Sequence, residues 1–323
     1  MASKGILVTG GSGLVGAYAV TMLLDRGERP VIYDVAVNER LLEAVGVESG
    51  KVTAIRGDMM DLPALISVLR DHDCDRIIHL AAFLGEEVQR RPYSGVRLNF
   101  MGTVNVFEAA RLERVSRIIF PSSGTVYLGS LGEGLHKIDE TIPMNPPSIY
   151  AATKASCEFM GRAYAKRYGF EFICLRYTGG LYGPSPAALK ATREIAIQQM
   201  IRAAVKGEPA KIGWPYGPAE ILYGKDAAKG TVLAVLKDKF ADTLFHIGNG
   251  ITLSGDDIVA GVRKAYPGSN IELVKEKNPM PYPDSRLASD FSRAKDQLGY
   301  EPDYSIEKAV LDYGATLKRL EHL

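Results

Sequence analysis

The sequence has little of several features that would indicate other classes of protein. Only three cysteines occur in 323 residues, Cys74, Cys157 and Cys174, and their spacing fits neither a zinc site nor a disulfide framework. The formal net charge is +1, with no run of Lys or Arg, so we expect no nucleic-acid partner. No apolar stretch reaches about 18 residues, so we expect neither a transmembrane helix nor a membrane partner.

What remains is the composition of an ordinary globular protein, with 46% hydrophobic and 24% charged residues. The length suits two domains, or one large domain with a smaller lobe. The N-terminal stretch MASKGILVTGG runs directly into an apolar segment without the pattern of a signal peptide. We therefore expect a cytoplasmic protein in a reducing compartment, with no metal site.

Apolar runs alternate with helical patterns along the first half of the chain. Because the runs are continuously apolar, they indicate parallel strands buried on both faces. The predicted strands are 5–10, 30–34, 52–58, 76–82, 117–123 and 170–177. The predicted helices are 14–27, 62–71, 94–114 and 148–168. This alternation predicts a doubly wound α/β sheet of the Rossmann type.

The first strand ends in TGGSGLVG, where Gly11, Gly13 and Gly16 match G-x-G-x-x-G and Gly10 starts an overlapping pattern. Glycines here allow a tight turn and a close approach of the backbone to phosphate, and the following helix offers free N–H groups. We expect a dinucleotide to bind there, with a glycine-rich turn lacking any ligand as the alternative. The predicted contacts of this turn are Gly10, Gly13, Leu14, Val15 and Gly16.

Asp34 ends the second strand, 18 residues beyond Gly16. A carboxylate there can accept hydrogen bonds from the adenosine ribose and repels a 2′-phosphate, so NAD is expected rather than NADP; capping of a loop is the alternative. Further contacts are predicted at the ends of other strands, where plain turns or core packing are the alternatives. These residues are Asp58, Met59, Leu80, Ala81, Ala82 and Tyr177.

The regular alternation of predicted strands and helices ends after Tyr177. Loops rich in Gly and Pro surround a helix near 188–206, a strand at 243–249 is expected to return to the main sheet, and a last helix lies near 305–321. We therefore predict an NAD-binding domain of residues 1–177 plus about 225–250. A smaller substrate-binding lobe would comprise about 178–224 plus 251–323.

The motifs TGGSGLVG, GDMMD, HLAA, NFMGTVNVFEAA, PSSGTVY, YAATK and LRYTGGLYGP occur in this order. Through this ordered set of motifs, the sequence resembles the extended short-chain dehydrogenase/reductase family, also called NAD-dependent epimerase/dehydratase. The resemblance implies a Rossmann domain with a C-terminal substrate lobe, hydride transfer with nicotinamide, and a homodimer formed through helices 94–114 and 148–168. Plain packing of these helices on the sheet is the alternative.

Tyr150 and Lys154 match the family's Tyr-x-x-x-Lys, and their spacing places both on one helix face. Tyr150 is the expected acid/base, and Lys154 is expected to favour its phenolate and to hold the nicotinamide ribose. Lowering the pKa from about 10 to about 7 corresponds to roughly 4 kcal/mol. The resemblance assigns Ser123 to orienting the substrate oxygen, with Thr125 sharing that task, and places Asn99 near the active site or at a helix cap.

The lobe departs from the nucleotide-sugar pattern. Thr178 replaces an asparagine, and Ala219, followed by Glu220, replaces an arginine for the diphosphate. Other cations could substitute: Arg193, Arg202, Lys211 or Arg286. The segments HLAAFLGEE, LRYTGGL and PDSRLASDFSRAKDQLG are similar to the short-chain L-threonine 3-dehydrogenase group.

We therefore expect an NAD-dependent oxidoreductase acting on a secondary alcohol or ketone of a small polar molecule. The expected substrate residues are Leu84, Gly85, Ser123, Thr125, Thr178, Trp214 and Tyr216, although Trp214 could equally belong to the lobe core. A nucleotide-sugar 4-epimerase with tightly held NAD is the first alternative, and a non-catalytic dinucleotide sensor the second. A dehydratase is less favoured, because Gly124 and Thr125 occupy the positions where dehydratases of this family often carry Asp-Glu.

Overall fold

A computed structural model describes residues 4–131, 137–185, 195–214, 217–275 and 287–321. The described strands form one large sheet and two small ones. They are β1 (Gly5–Thr9), β2 (Arg29–Asp34), β3 (Thr53–Arg56), β4 (Cys74–His79), β5 (Arg117–Ser123), β6 (Glu171–Tyr177), β7 (Gly180–Tyr182), β8 (Ala210–Trp214), β9 (Ile221–Tyr223), β10 (Leu244–Ile247) and β11 (Ile271–Lys275).

The large sheet has seven parallel strands in the order β10-β6-β5-β4-β1-β2-β3. The order reverses between β1 and β4, which is the switch point where doubly wound folds open a crevice for ligands. The predicted Rossmann-type parallel sheet is confirmed, and the late strand does return to it as β10 beside β6.

Helices cover both faces of the sheet. They are α1 (Leu14–Leu24), α2 (Glu39–Ala44), α3 (Leu62–Asp71), α4 (Gly85–Arg90), α5 (Pro92–Val96), α6 (Thr103–Leu112), α7 (Ile149–Tyr168), α8 (Ala196–Lys206), α9 (Gly224–Leu236), α10 (Gly255–Ala265), α11 (Ser292–Leu298) and α12 (Ile306–Glu321). A π-helix spans Arg97–Gly102 and a 3₁₀ segment spans Gly124–Ser130.

The strands bury side chains on both faces because alternate residues point in opposite directions. Ile6 and Val8 pack toward one hydrophobic cluster with α1 and α9, whereas Leu7 packs into a second cluster with α3, α6 and α7. Continuously apolar strands are the direct result of this double burial. Polar residues are left for the strand ends, where the sheet opens.

Two of the predicted helices differ in how well their predicted bounds agree with the structure. Helix α7 begins as predicted because the Ser148 side chain accepts a hydrogen bond from Ala151 N, and it ends at Gly169 in the left-handed conformation. The single helix predicted for 94–114 is wrong in detail, because α5 and α6 are joined through the π-helix Arg97–Gly102. π-helices occur frequently at functional sites, and this one carries Asn99.

The remaining elements form a smaller group after β6. Strand β7 pairs with β9, β8 pairs with β11, and a separate hydrophobic cluster joins them to α8, α10 and α12. Part of the helix predicted for 188–206 lies outside the described residues, and the described part is α8. The exact division of the chain into two domains stays a prediction.

A buried ion pair ties helix α7 to strand β6. Glu158 is fully buried and accepts two hydrogen bonds from Arg176, of 3.0 and 2.9 Å, and one of 2.6 Å from Ser122. Arg162 adds a second cation at 2.9 Å from the carboxylate, but its own side chain is 39% exposed. The pair fixes α7 against β5 and β6, whose ends carry the candidate catalytic residues.

We predict that Arg176→Met destabilises the protein by about 3–5 kcal/mol, because it leaves the buried Glu158 carboxylate without its main partner. Arg162→Met is the matched control, since a half-exposed cation contributes less than about 1 kcal/mol. Urea unfolding followed by circular dichroism measures both changes. Equal losses in the two variants would contradict this assignment.

Candidate active site

The glycine turn after β1 is closed so tightly that side chains are excluded. Gly10 has a φ of +68°, and a Cβ there would lie 2.8 Å from the Ala81 backbone nitrogen. A Cβ on Gly16 would overlap the carbonyl oxygen of Gly10. Glycine is therefore required at both positions, which leaves open backbone at the switch point of the sheet.

The N-terminus of α1 faces this opening. Gly13 is the N-cap and provides no side chain to the helix, so the first N–H groups, including those of Leu14 and Val15, have no capping partner. Such groups, together with the helix dipole, attract an anion such as a pyrophosphate. The turn and the helix end therefore fit the phosphates of a dinucleotide.

Asp34 lies beside the same turn at the end of β2. Its Oδ2 accepts a hydrogen bond of 2.8 Å from Ser12 Oγ, and its Oδ1 accepts one of 3.2 Å from Ala36 N. Ser12 was missed in the sequence, although its place inside the glycine motif was the available signal. A carboxylate held in this way suits ribose hydroxyls and repels a 2′-phosphate, which fits NAD.

The next two predicted contacts, Asp58 and Met59, differ in their exposure. Asp58 is exposed and accepts a hydrogen bond of 2.9 Å from Met60 N. Met59 is buried against Gly102, and its carbonyl oxygen accepts a hydrogen bond from Asn105 Nδ2. Asp58 therefore remains available to a ligand. Burial of the Met59 side chain does not test the contact expected through the Met59 backbone, which stays a prediction.

Ser123 ends β5, and its Oγ accepts two hydrogen bonds from Thr125, of 3.2 Å from the backbone nitrogen and 3.0 Å from the hydroxyl. Because both incoming bonds use the oxygen, the Ser123 hydrogen is free to point elsewhere. Thr125 thus uses its hydroxyl hydrogen to orient Ser123, and the shared role expected from the sequence stays a prediction.

Tyr150 lies in the first turn of α7 and is half-buried, and a Cβ on Gly85 would lie 3.9 Å from its ring. Burial raises the pKa of Tyr150 to about 12, and a hydrogen bond with the Ser123 side chain offsets part of the rise. The phenolate expected from the sequence is therefore not favoured in this structure. The direction of this shift is opposite to the one expected from the sequence, and the acid/base role of Tyr150 stays a prediction.

Lys154 follows one turn later and is buried. Its Nζ donates a hydrogen bond of 2.8 Å to the carbonyl oxygen of Pro121 and lies 4.9 Å from the centre of the Phe120 ring. Burial lowers the pKa of Lys154. The ammonium is thus held by Pro121, which precedes Ser123 by two positions in β5. Its other N–H groups are available for ribose hydroxyls.

Asn99 is buried in the π-helix and does not present its amide to the opening. Its Oδ1 accepts a hydrogen bond of 2.8 Å from Phe83 N, and its Nδ2 donates one of 2.9 Å to Phe83 O. Asn99 therefore holds the backbone after β4, where Leu80, Ala81 and Ala82 are half-buried. Leu84, in the same segment, is 68% exposed.

The end of β6 carries two predicted contacts. The Tyr177 hydroxyl lies 2.6 Å from Thr231 Oγ1 of α9, so it is already partnered inside the protein. Thr178 donates a hydrogen bond of 2.8 Å to Ser289 Oγ. Both hydroxyls take part in internal contacts, and only their positions at the strand end link them to the opening.

Glu220 forms the centre of a buried network that the sequence did not reveal. Its Oε1 accepts hydrogen bonds from Asn249 N, Gly250 N and Ser289 Oγ, of 2.6 to 2.8 Å, and its Oε2 accepts one of 3.0 Å from Ser289 N. Burial raises the pKa of Glu220, and the bonds from Gly250, Ser289 and Asn249 oppose the rise. The carboxylate binds the protein itself and is only 3% exposed.

The structure does not bring the other predicted lobe residues together at one site. The Trp214 ring packs into the lobe cluster beside Gly255, which supports its role as core. Arg202 pairs with Glu321, and Lys211 pairs with Glu272. The residues Tyr216, Arg193 and Arg286 lie outside the described residues.

Comparison with known proteins decides the family. The model of the NAD dependent epimerase/dehydratase family matches residues 6–248. The chain belongs to this family. The expected NAD-dependent enzyme of the extended short-chain dehydrogenase/reductase type is thereby confirmed, and the dinucleotide sensor is not favoured. The individual site residues stay predictions.

The relatives of this epimerase/dehydratase family member cover nearly the whole chain. A protein named UDP-glucose 4-epimerase from Halalkalibacterium halodurans is 28% identical, covering 94% of this chain and 93% of its own. A dTDP-glucose 4,6-dehydratase from Xanthomonas campestris is also 28% identical, covering 94% and 90%. The solved UDP-glucose 4-epimerase of Thermotoga maritima shares the fold, with a TM-score of 0.84, 22% identity, and coverage of 97% and 98%.

Two kinds of feature are absent from the described ranges. No helix there combines the length and the apolar character needed to cross a membrane. No group of three or more His, Cys, Asp or Glu residues in those ranges could hold a metal ion. The cytoplasmic location stays a prediction.

We predict that Asp34→Ser lowers the preference for NAD over NADP roughly tenfold, or about 1.4 kcal/mol, because the charge that repels a 2′-phosphate is removed. Asp58→Ser is the control, and it is expected to change the affinity for both dinucleotides by the same factor. Isothermal titration calorimetry with each dinucleotide measures the ratio. An unchanged ratio in Asp34→Ser would remove Asp34 from the cofactor site.

Proposed function

We propose that this family member is a nucleotide-sugar 4-epimerase that keeps its NAD and returns the hydride to the same carbon. NAD would supply the acceptor and donor of hydride. The proposal is supported by full-length relatives with nucleotide-sugar names and by the neighbouring positions of Ser123, Tyr150 and Lys154. The small non-nucleotide substrate expected from the sequence finds no support among these relatives.

The three residues would divide the proton chemistry among them. Ser123, oriented by Thr125, would donate a hydrogen bond to the reacting oxygen of the substrate. Tyr150 would take the proton of the sugar hydroxyl as the carbonyl forms, and would give it back when the alcohol is restored. Lys154 would hold the ribose and place a positive charge near the phenol, which favours the ionised form during the oxidation half.

The buried state of Glu220 removes the main charge conflict with this proposal. The sequence suggested that Glu220 would repel a diphosphate, but its two oxygens accept bonds from Asn249, Gly250 and Ser289 and are shielded from the opening. The positive ends of four donor dipoles face this carboxylate, which weakens its field on a ligand while its charge remains. The site is therefore compatible with an anionic substrate.

A second candidate keeps the same chemistry with a small polar alcohol and net formation of NADH. It is favoured by Ala219, which is buried in a backbone bridge to Leu253 and offers no cation where the epimerase pattern has arginine. Arg202 and Lys211 are paired elsewhere and do not replace it. A dehydratase is less favoured, because Gly124 and Thr125 supply no carboxylate beside Ser123.

We predict that the purified protein interconverts UDP-glucose and UDP-galactose, or the corresponding N-acetyl or dTDP sugars, without net NADH formation. Chromatography follows the sugars and absorbance follows NADH. Tyr150→Phe is expected to slow the conversion about 1,000-fold, since the acid/base is lost, while NAD still binds. Formation of NADH from a small hydroxy acid or amino alcohol, with every nucleotide sugar unchanged, would replace this proposal by the second candidate.

We also propose that the protein forms a homodimer through α5, the π-helix and α7. Large apolar side chains are exposed along these helices, including Tyr93 at 76%, Met101 at 45% and Phe159 at 60%. Apolar groups that remain exposed on adjacent helices are typical of an interface.

We expect Phe159→Glu to convert a dimer into a monomer, because a charge would be buried at the centre of the apolar helix pair. Leu311→Glu, on the outer side of α12 and 45% exposed, is the control and is expected to leave the mass unchanged. Light scattering after gel filtration gives the mass of each. A wild-type monomer, or two variants with equal mass, would contradict the proposed interface.

A further inference from the structure

Three side chains form a buried hydrogen-bonded chain just beneath the candidate active site. Thr9 ends β1, His79 ends the neighbouring β4, and Thr103 begins α6. The His79 ring joins the two hydroxyls, with Nδ1 at 2.7 Å from Thr9 Oγ1 and Nε2 at 3.0 Å from Thr103 Oγ1. We call these three residues the His79 relay.

The position of each hydrogen in the His79 relay follows from its last partner. Thr103 Oγ1 lies 2.6 Å from the carbonyl oxygen of Asn99, which can only accept, so the Thr103 hydroxyl donates there. A hydroxyl has one hydrogen, and Thr103 must therefore accept from His79 Nε2–H. The other nitrogen, Nδ1, then accepts from the Thr9 hydroxyl, so the ring is neutral with its hydrogen on Nε2.

Both ends of the relay reach the backbone that follows β4. Thr9 Oγ1 accepts a hydrogen bond of 3.3 Å from Ala81 N, and Asn99, at the other end, holds both the N–H and the carbonyl of Phe83. Ala81 also lies against Gly10, so a displacement of this segment would alter the turn that faces the dinucleotide. The segment 81–83 is thus attached to the relay at two points.

The surroundings explain why the central residue is a neutral imidazole. His79 is 1% exposed, and burial together with the nearby positive charge of Lys154 lowers its pKa to about 3. A charged side chain there would be buried beside a cation, whereas an apolar one would leave the Thr9 hydroxyl without an acceptor and Thr103 without a donor. Histidine can accept and donate at once without carrying charge.

We propose that His79, as the Nε2–H tautomer, is a positioning residue that fixes segment 81–83 for NAD binding. His79 itself lies below the segment and would touch neither cofactor nor substrate. The inference rests on the NAD dependence of the family and not on the nucleotide-sugar substrate, so the two proposals fail independently.

The test compares His79→Leu, His79→Gln and Thr103→Val in the protein without added NAD, by amide hydrogen exchange, and then measures NAD affinity by calorimetry. His79→Leu is expected to speed exchange at Ala81 and Phe83 at least tenfold and to weaken NAD binding about tenfold, while Val310 and Tyr313 in α12 keep their rates. His79→Gln should recover most of the loss, because an amide also accepts and donates.

Two comparisons separate positioning from general loss of stability. His246→Leu removes another fully buried histidine, near the end of β10, and is expected to leave exchange at Ala81 and Phe83 and the NAD affinity unchanged. Thr103→Val keeps the side-chain shape, and the double variant with His79→Leu should be no worse than His79→Leu alone. If His79→Leu does not fold, the exchange rates of Ala81 and Phe83 in Thr103→Val alone decide whether the proposal holds.

The proposal is overturned if exchange at Ala81 and Phe83 stays at the wild-type rate in the variants that fold. It is also overturned if His246→Leu produces the same changes, or if Gln recovers nothing. Nitrogen-15 NMR of the wild-type protein at pH 7 gives a separate check. A hydrogen on Nδ1, or on both nitrogens, would contradict the tautomer, and a signal typical of Nε2–H supports it.

Discussion

Burial of the parallel sheet on both faces is the constraint on which the rest of the structure depends. Because the strand interiors pack against helices on two sides, they tolerate only apolar side chains. Near their carboxyl ends, several strands carry buried polar side chains, which together form one layer. This layer comprises Thr9, His79, Ser122, Arg176 and His246, which are the last or next-to-last residues of their strands. The candidate active site lies directly above it.

The buried charges in and beside this layer have different partners. Arg176 forms an ion pair with Glu158, whereas Glu220 accepts hydrogen bonds from four uncharged N–H and O–H donors. Lys154 donates a hydrogen bond to a neutral carbonyl oxygen. A buried ammonium held in this way retains more of its field, because little water is present to screen it.

Features encoded by neighbours in the sequence could be predicted well. The glycine turn, the start of α7 at Ser148 and the spacing of Tyr150 and Lys154 all depend on residues within a few positions of one another. The Glu220 network could not be predicted, because it joins Thr178, Glu220, Asn249 and Ser289 through tertiary packing. For the same reason, the sequence showed the charge of Glu220 but not the donors that surround it, and its effect on a ligand stays a prediction. The π-helix was missed because its residues fit an ordinary helix equally well.

Strand β3 forms one border of the large sheet, and it is short and largely exposed, ending at Arg56. Four residues offer a neighbouring chain few free backbone groups, and the terminal charge opposes close stacking of a second sheet. Growth of the sheet from one molecule into the next is therefore discouraged at this border.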